Sequence, residues 1–138
     1  MRGAYHQRCG TALDPKFTRH VHPPCYTDDA RIPNVAEYKK DDLDFFPQNE
    51  GAILNCAKGH HDAGDYGKYV INGSLFAEAL LTPFDACPEK LIFDSSPIPE
   101  AGNKIPDIID EVKWELDWIS NMQDPNDGGV HIIVKPDP

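Results

Sequence analysis

The chain has 138 residues with an apolar fraction of 40%, enough for one modest domain with its own core. Its 13 Lys and Arg residues and 23 Asp and Glu residues give a net charge of −10, which disfavours binding to nucleic acid or anionic lipid. No stretch approaches the roughly 20 apolar residues of a membrane helix. Residues 1–6 also lack the apolar core of a signal peptide. We therefore expect neither nucleic acid nor a membrane as partner.

The first 60 residues are predicted to be mostly loop with short extended pieces. Prolines interrupt any helical period here: Pro15, Pro23, Pro24, Pro33 and Pro47. An acid-rich run at 41–44 indicates a solvated loop.

Four cysteines occur in the chain: Cys9, Cys25, Cys56 and Cys87. Two disulfides are possible, although the chain is larger and less cysteine-dense than disulfide-stapled secreted modules. The sequence also contains cysteine and histidine ligands of the kind that zinc prefers: Cys9, the His-x-His-x-x-Cys segment at 20–25 and the His60-His61 pair. The spacing fits no zinc finger, so buried thiols with surface histidines remain the alternative to a zinc site.

Residues 61–69, HDAGDYGKY, place Asp62 and Asp65 in a glycine-containing loop just before an apolar helix. Paired acids on such a loop suit the handling of a proton or a water molecule. Asp and Gly are also ordinary turn residues, and Asp ahead of a helix caps its free amides. These residues alone leave both interpretations open.

Two amphipathic helices are predicted after this loop. Over 69–84 the apolar residues recur every three or four positions, and Pro83 is expected to end or kink the helix. A second helix is predicted from 105–107, where Pro106 fits the first turn and Asp107 opposes the positive end of the helix dipole. Its predicted apolar face comprises Ile105, Ile108, Ile109, Val112, Leu116, Ile119 and Met122.

The other side of the second helix is predicted to be solvated, and it includes Glu111 and Glu115. Trp114 and Trp118 are interpreted as packing residues rather than as a sugar platform. Residues 124–129 are out of register with a calcium loop and predict a plain turn, followed by a short strand at 130–134. The resulting helical hairpin carries more apolar surface than this chain can cover.

Four blocks, in order, resemble glycoside hydrolase family 9, cellulases that hydrolyse β-1,4-glucans with inversion. They are RGAYHQRCGTAL (2–13), DAGDYGKYV (62–70), IPEAGNKIPDIIDE (98–111) and WELDW (114–118). The first block is similar to the start of the catalytic domain in the subfamily that often has a preceding immunoglobulin-like domain.

The resemblance implies a mainly α fold, the N-terminal portion of an (α/α)6 barrel. Residues 1–138 would be a partial catalytic domain, and the missing C-terminal part of the barrel would be its partner. Within it, 1–68 would form a loop-rich segment with the zinc ligands and the base loop, and 69–138 a helical hairpin with a final strand.

The resemblance also implies site residues. Asp65 would be the general base that takes a proton from the attacking water, and Asp62 would hold that water and tune the base. Tyr66 and His131 would contact the glucan. No residue of 1–138 matches the general-acid glutamate of the family, so we expect the isolated chain to be weakly active or inactive.

A structural zinc held by two cysteines and two histidines is common in this subfamily. Cys9, Cys25 and His61 match three of its ligands, whereas the fourth position is Tyr26, so the site is either incomplete or completed by another group such as His22. No organic cofactor is expected. His60 stands where the family usually has tryptophan.

The sequence thus favours part of a secreted, inverting β-1,4-glucanase that acts on β-glucan oligosaccharides or polysaccharides. The alternative is a non-catalytic, zinc-stabilised carbohydrate-binding or interaction module derived from the family.

Overall fold

A computed structural model describes residues 1–27, 30–33 and 51–136 of the chain. These ranges contain the helices α1 (Arg2–Gln7), α2 (Val70–Ala86) and α3 (Asp107–Asn121). They also contain the two-residue strands β1 (Ala30–Arg31), β2 (Ile53–Leu54), β3 (Lys68–Tyr69) and β4 (Ile133–Val134). None of the helices in these ranges is long and apolar enough to cross a membrane. The acidic loop predicted at 41–44 and Pro47 lie outside the described residues.

The predicted helical hairpin is present, with α2 packed against α3. Helix α2 does not end at Pro83, where an end or a kink was predicted, but continues to Ala86. Pro83 has no N–H to donate, yet its carbonyl accepts the N–H of Cys87 at 3.0 Å and closes the last turn. The carbonyl that loses its donor belongs to Ala79, an exposed residue that water can reach.

Helix α3 begins at Asp107, within the 105–107 segment where its start was predicted, although Pro106 precedes the first turn instead of lying in it. Asp107 is fully buried, and its Oδ2 accepts the N–H groups of Ser95 and Ser96 at 3.0 and 2.7 Å. The carboxylate therefore holds the preceding loop against the start of the helix.

The apolar face of α3 is narrower than predicted. Ile105 and Leu116 were placed on it, but they are 41% and 46% exposed. Trp118 is fully buried, which supports the interpretation of this tryptophan as a packing residue. Its core cluster comprises Cys56, Trp118, Met122 and Val134.

Glu111 and Glu115 were predicted to be solvated, and this prediction was wrong because both are fully buried. Nε of Arg8 donates to Glu111 at 3.0 Å. The ring of His60 lies between the two glutamates, with Nε2 3.0 Å from Glu111 and Nδ1 2.8 Å from Glu115. A buried carboxylate needs such partners to offset its lost hydration. Arg8 also forms a two-pronged ion pair with the half-buried Glu100.

The two glutamates favour the charged form of His60. Burial of the ring opposes protonation, but the hydrogen bonds to Glu111 and Glu115 outweigh this effect and raise the pKa of His60. Both ring nitrogens of the imidazolium then donate, one to each carboxylate. We call Arg8, His60, Glu111 and Glu115 the buried charge network.

Two antiparallel contacts position the loop between 59 and 67. The N–H of Cys9 donates to the carbonyl of Gly59, and the N–H of His61 donates to the carbonyl of Gln7, each at 2.8 Å. At the other end of the loop, β3 pairs with β4 in the register Lys68↔Val134 and Tyr69↔Ile133. The loop is therefore held at one end by the N-terminal segment and at the other by the last strand.

Helix α2 presents apolar side chains that the described part of the chain does not cover. Ile71 is 65% exposed and Leu75 is 58% exposed, and Ala77 is the one residue of α2 that is fully buried. Exposed apolar residues on one helix are typical of a surface that meets another part of a protein.

Gly59 is predicted to be intolerant of a side chain. Its φ is +73°, and a Cβ atom there would lie 2.9 Å from the Trp118 ring. Gly59→Ala should lower the free energy of unfolding by about 2–4 kcal/mol, from the left-handed backbone and the overpacking together. Urea denaturation measures the effect. Gly64→Ala is the matched control, since a Cβ there meets nothing within 4 Å, and equal stabilities of the two variants would contradict the prediction.

The buried charge network predicts a second stability effect. Glu111→Gln leaves Arg8 and His60 without a charged partner at this position, and should cost about 3–5 kcal/mol in the free energy of unfolding. Glu78→Gln, on the exposed side of α2, should change it by less than about 0.5 kcal/mol. A Glu111→Gln protein as stable as the control variant would show that the network contributes little.

Candidate functional site

Three metal-binding side chains predicted from the sequence come together next to the loop. Cys9 and His61 lie on the two paired segments described above, and Cys25 approaches from the neighbouring loop. Cys9 Sγ is 3.7 Å from Cys25 Sγ, and Cys25 Sγ is 3.1 Å from His61 Nε2. One ligand atom from each residue lies within 4.8 Å of the other two.

These distances fit a zinc ion. Tetrahedral zinc with ordinary Zn–S and Zn–N bonds has ligand atoms separated by about 3.5–3.8 Å along each edge. The sulfurs lie at that spacing, and the sulfur–nitrogen pair is slightly closer. All four cysteines are free thiols, so the disulfides that the sequence allowed are not formed in this structure.

The electrostatics of the cluster also suit a metal. Burial raises the pKa of the Cys9 thiol to about 12, although the nearby Lys68 ammonium acts in the opposite direction. Burial, together with His22 and Lys68, lowers the pKa of His61 to about 4. The imidazole is therefore neutral at pH 7, as a ligand must be, and a metal ion would replace the proton of Cys9.

Lys68 lies behind the cluster and is completely buried. Its ammonium donates to the carbonyls of Cys56 and Lys58, and it lies 4.8 Å from the centre of the Trp118 ring. Burial lowers the pKa of Lys68, while the Cys9 and Cys56 thiols favour its charged form. Because Lys68 begins β3, it connects the cluster with the end of the loop.

The fourth position predicted from the family is occupied by Tyr26, which has a φ of +49°. Its hydroxyl is buried and has no hydrogen-bond partner among the described residues. Burial and the surrounding thiols of Cys9, Cys25 and Cys56 raise the pKa of Tyr26. The phenol therefore stays protonated at neutral pH.

Asp62 and Asp65 lie on the exposed side of the same loop. Asp62 accepts a hydrogen bond from Nδ2 of Asn72 at 2.8 Å, and Asp65 accepts the N–H of Gly67 at 3.0 Å. The loop closes on itself, since the N–H of Asp62 donates to the carbonyl of Gly67 at 2.9 Å. Both carboxylates are thus held in place and remain open to solvent.

A groove of about 260 Å³ lies beside Asp62. Its lining includes His60, His61, Asn72, Phe76 and Glu115. The groove therefore extends from the exposed carboxylate of Asp62 to the buried charge network. Both His60 and His61 line it.

Tyr66 and His131 occupy different environments. Tyr66 is 42% exposed, has a φ of +60°, and its ring lies 4.5 Å from the ring of His61. His131 follows the turn at 124–129, and its N–H donates to the carbonyl of Met122 at 2.9 Å. Its Nε2 is buried and has no partner among the described residues. Tyr66 is thus the more accessible of the two predicted glucan contacts.

Sequence reasoning did not find the buried charge network. Arg8 and Glu111 are separated by 103 positions and His60 and Glu115 by 55, so no local pattern connects them. The one hint in the sequence was His60, which stands where the family usually has tryptophan.

The sequence is similar to those of known proteins. Residues 1–136 match the family described as Glycosyl hydrolase family 9. Endoglucanase D of Acetivibrio thermocellus is 36% identical over 133 residues, which cover 94% of this chain and 19% of that protein. The chain thus spans about a fifth of the length of this curated relative.

Solved structures give the same result. A metagenome-derived glycoside hydrolase family 9 endoglucanase is 37% identical, with a TM-score of 0.77 over 96% of this chain and 22% of that chain. A Zn-binding triple mutant of the family 9 endoglucanase J30 is 33% identical, with a TM-score of 0.73 over 96% of this chain and 24% of that chain. Since the family match covers almost every residue and the fold agrees with it, this chain belongs to glycosyl hydrolase family 9.

Proposed function

We propose that this chain supplies the water-activating part of an inverting β-1,4-glucanase site. The observation that carries the proposal is the Asp62–Asp65 loop, whose two exposed carboxylates are held by hydrogen bonds. Asp62 also lines the groove. A carboxylate that serves as base needs both a fixed position and access to water.

In this mechanism Asp65 is the general base. It takes a proton from a water molecule as that water attacks the anomeric carbon of the glucan. Asp62 lies three positions before it in the same tight loop, so the two acids act on the same face of the sugar. An acid on the opposite face protonates the leaving oxygen, with the two carboxyl groups about 6.5–9.5 Å apart.

The glutamates nearest the loop are unsuited to be that acid. Glu111 and Glu115 are buried and bonded to His60, and Glu100 is paired with Arg8. The proposal therefore places the acid in the remaining part of an (α/α)6 barrel. Further barrel helices would also cover the exposed Ile71 and Leu75 of α2.

Cys9, Cys25 and His61 would hold a structural zinc in this enzyme. Zinc in a site of this kind supplies a rigid cross-link between chain segments and takes no part in hydrolysis. Because His61 directly precedes Asp62, the cross-link would fix the start of the base loop. The substrate class is β-glucan, and the insolubility of such polymers is the reason to expect secretion.

A non-catalytic, zinc-stabilised carbohydrate-binding module is the second candidate. It is favoured by the burial of Glu111 and Glu115, because the described residues then offer no exposed glutamate beside the groove that could serve as the acid. Hydrolysis of soluble β-glucan by a family 9 endoglucanase that carries residues 1–138 in place of its own matching segment would exclude this module, whereas binding without hydrolysis by that protein would favour it.

The role of Asp65 is tested in a chimaera in which residues 1–138 replace the matching segment of the metagenome-derived endoglucanase. Asp65→Asn should lower kcat for soluble β-glucan by about 10²–10⁴-fold, because the water loses its base. Release of reducing ends measures the rate. Asp85→Asn, an exposed carboxylate near the end of α2, should leave the rate unchanged, and wild-type turnover by Asp65→Asn would refute the assignment.

The zinc is tested on the purified chain by elemental analysis and thermal unfolding. We expect one zinc per chain, with about 4 kcal/mol of stabilisation at free zinc 1,000-fold above its Kd. Chelation and Cys9→Ser should each remove this stabilisation, while Cys87→Ser, at the far end of α2, should retain it. A metal-free chain of equal stability would rule out the zinc.

A further inference from the structure

His22 lies beside the three metal ligands, in the loop that also carries Cys25. Its ring centre is 5.8 Å from that of His61 and 6.2 Å from that of Tyr66. The Nε2 atom of His22 is buried and has no hydrogen-bond partner among the described residues. A buried ring nitrogen without a partner has lost its hydration, and a bound group would replace the lost interaction.

The contact made by the other ring nitrogen of His22 indicates which nitrogen can bind a metal. Nδ1 lies 2.8 Å from the carbonyl oxygen of Pro23. A carbonyl only accepts, so Nδ1 carries the proton and Nε2 carries the free lone pair. Metal-binding histidines commonly have this arrangement, in which the nitrogen away from the metal donates to a backbone carbonyl.

From this geometry we infer that His22 Nε2 is the fourth ligand of the zinc site, in place of the residue directly after Cys25. The inference depends on the structural zinc proposed above and is independent of the role of Asp65. Cys9, Cys25 and His61 form the compact 4.8 Å set, of which His22 is not a member. Ligation therefore requires the His22 ring to come closer to these ligands than it does in this structure.

Two neighbouring residues are weaker candidates for the same position. Tyr26 binds a metal well only as phenolate, and burial together with three surrounding thiols raises its pKa. Cys56 packs in the core cluster of Trp118 and Met122, and its thiol is directed at the carbonyl of Tyr26 at 3.7 Å. Among the described residues the Tyr26 hydroxyl has no hydrogen bond that would orient it, whereas the Nδ1 contact orients the His22 ring.

The experiment uses Co²⁺ as a spectroscopic substitute for zinc on the purified chain, with affinity measured by chelator competition. His22→Ala should weaken Co²⁺ and Zn²⁺ binding by more than the about 10–100-fold typical of losing an outer-sphere partner. It should also change the visible absorption of the Co²⁺ site. His20→Ala, two positions away and exposed, and Tyr26→Phe should both retain the wild-type affinity and spectrum.

A second substitution at His22 distinguishes the loss of a metal ligand from a general structural effect of the alanine variant. His22→Cys should bind Co²⁺ and add thiolate-to-cobalt charge-transfer absorption in the near ultraviolet. Wild-type affinity and spectrum in His22→Ala, no added absorption in His22→Cys, or loss of metal in Tyr26→Phe alone would each overturn the assignment of His22. A wild-type chain that takes up neither metal would instead refute the zinc itself.

Discussion

The packing of the N-terminal segment against α3 and the loop before it depends on the buried guanidinium of Arg8. This side chain is 1% exposed, and it contacts Glu111 of α3 and Glu100 in the loop before that helix. His60, at the start of the base loop, shares Glu111 with Arg8 and also contacts Glu115. Because charges inside a protein require partners, this network specifies which segments lie together: the N-terminal segment, the base loop and α3.

The network and the metal ligands act on opposite sides of one short backbone stretch. His60 faces α3, where two glutamates raise its pKa, while His61 faces Cys25 as a neutral ring with a lowered pKa. Asp62 follows immediately and is exposed beside the groove. Three consecutive residues thus provide an internal ion pair, a metal ligand and a candidate catalytic carboxylate, and the position of each one constrains the other two.

The sequence predicted the elements that local chemistry determines. The apolar periodicity of α2 and α3, the start at Pro106 and Asp107, and the turn at 124–129 were all recognisable. The meeting of Cys9, Cys25 and His61 followed from the family resemblance, because it joins distant positions. The burial of Glu111 and Glu115 was not predictable, since a glutamate in a helix ordinarily faces water and only the distant Arg8 and His60 stabilise it here. Leu116 was misplaced because the buried face of α3 is rotated away from it, toward Glu111, Glu115 and Trp118.

The pairing of Gln7 and Cys9 with Gly59 and His61 has a consequence for sequence variation. Neighbouring residues in an extended segment point to opposite sides, so the order of His60 and His61 determines which ring meets carboxylates and which meets thiols. A residue inserted before His60 would turn the ring of His60 toward the cysteines and leave Glu111 and Glu115 without the histidine that now lies between them. A change of length in this stretch would therefore disturb the buried charge network and the metal ligands together.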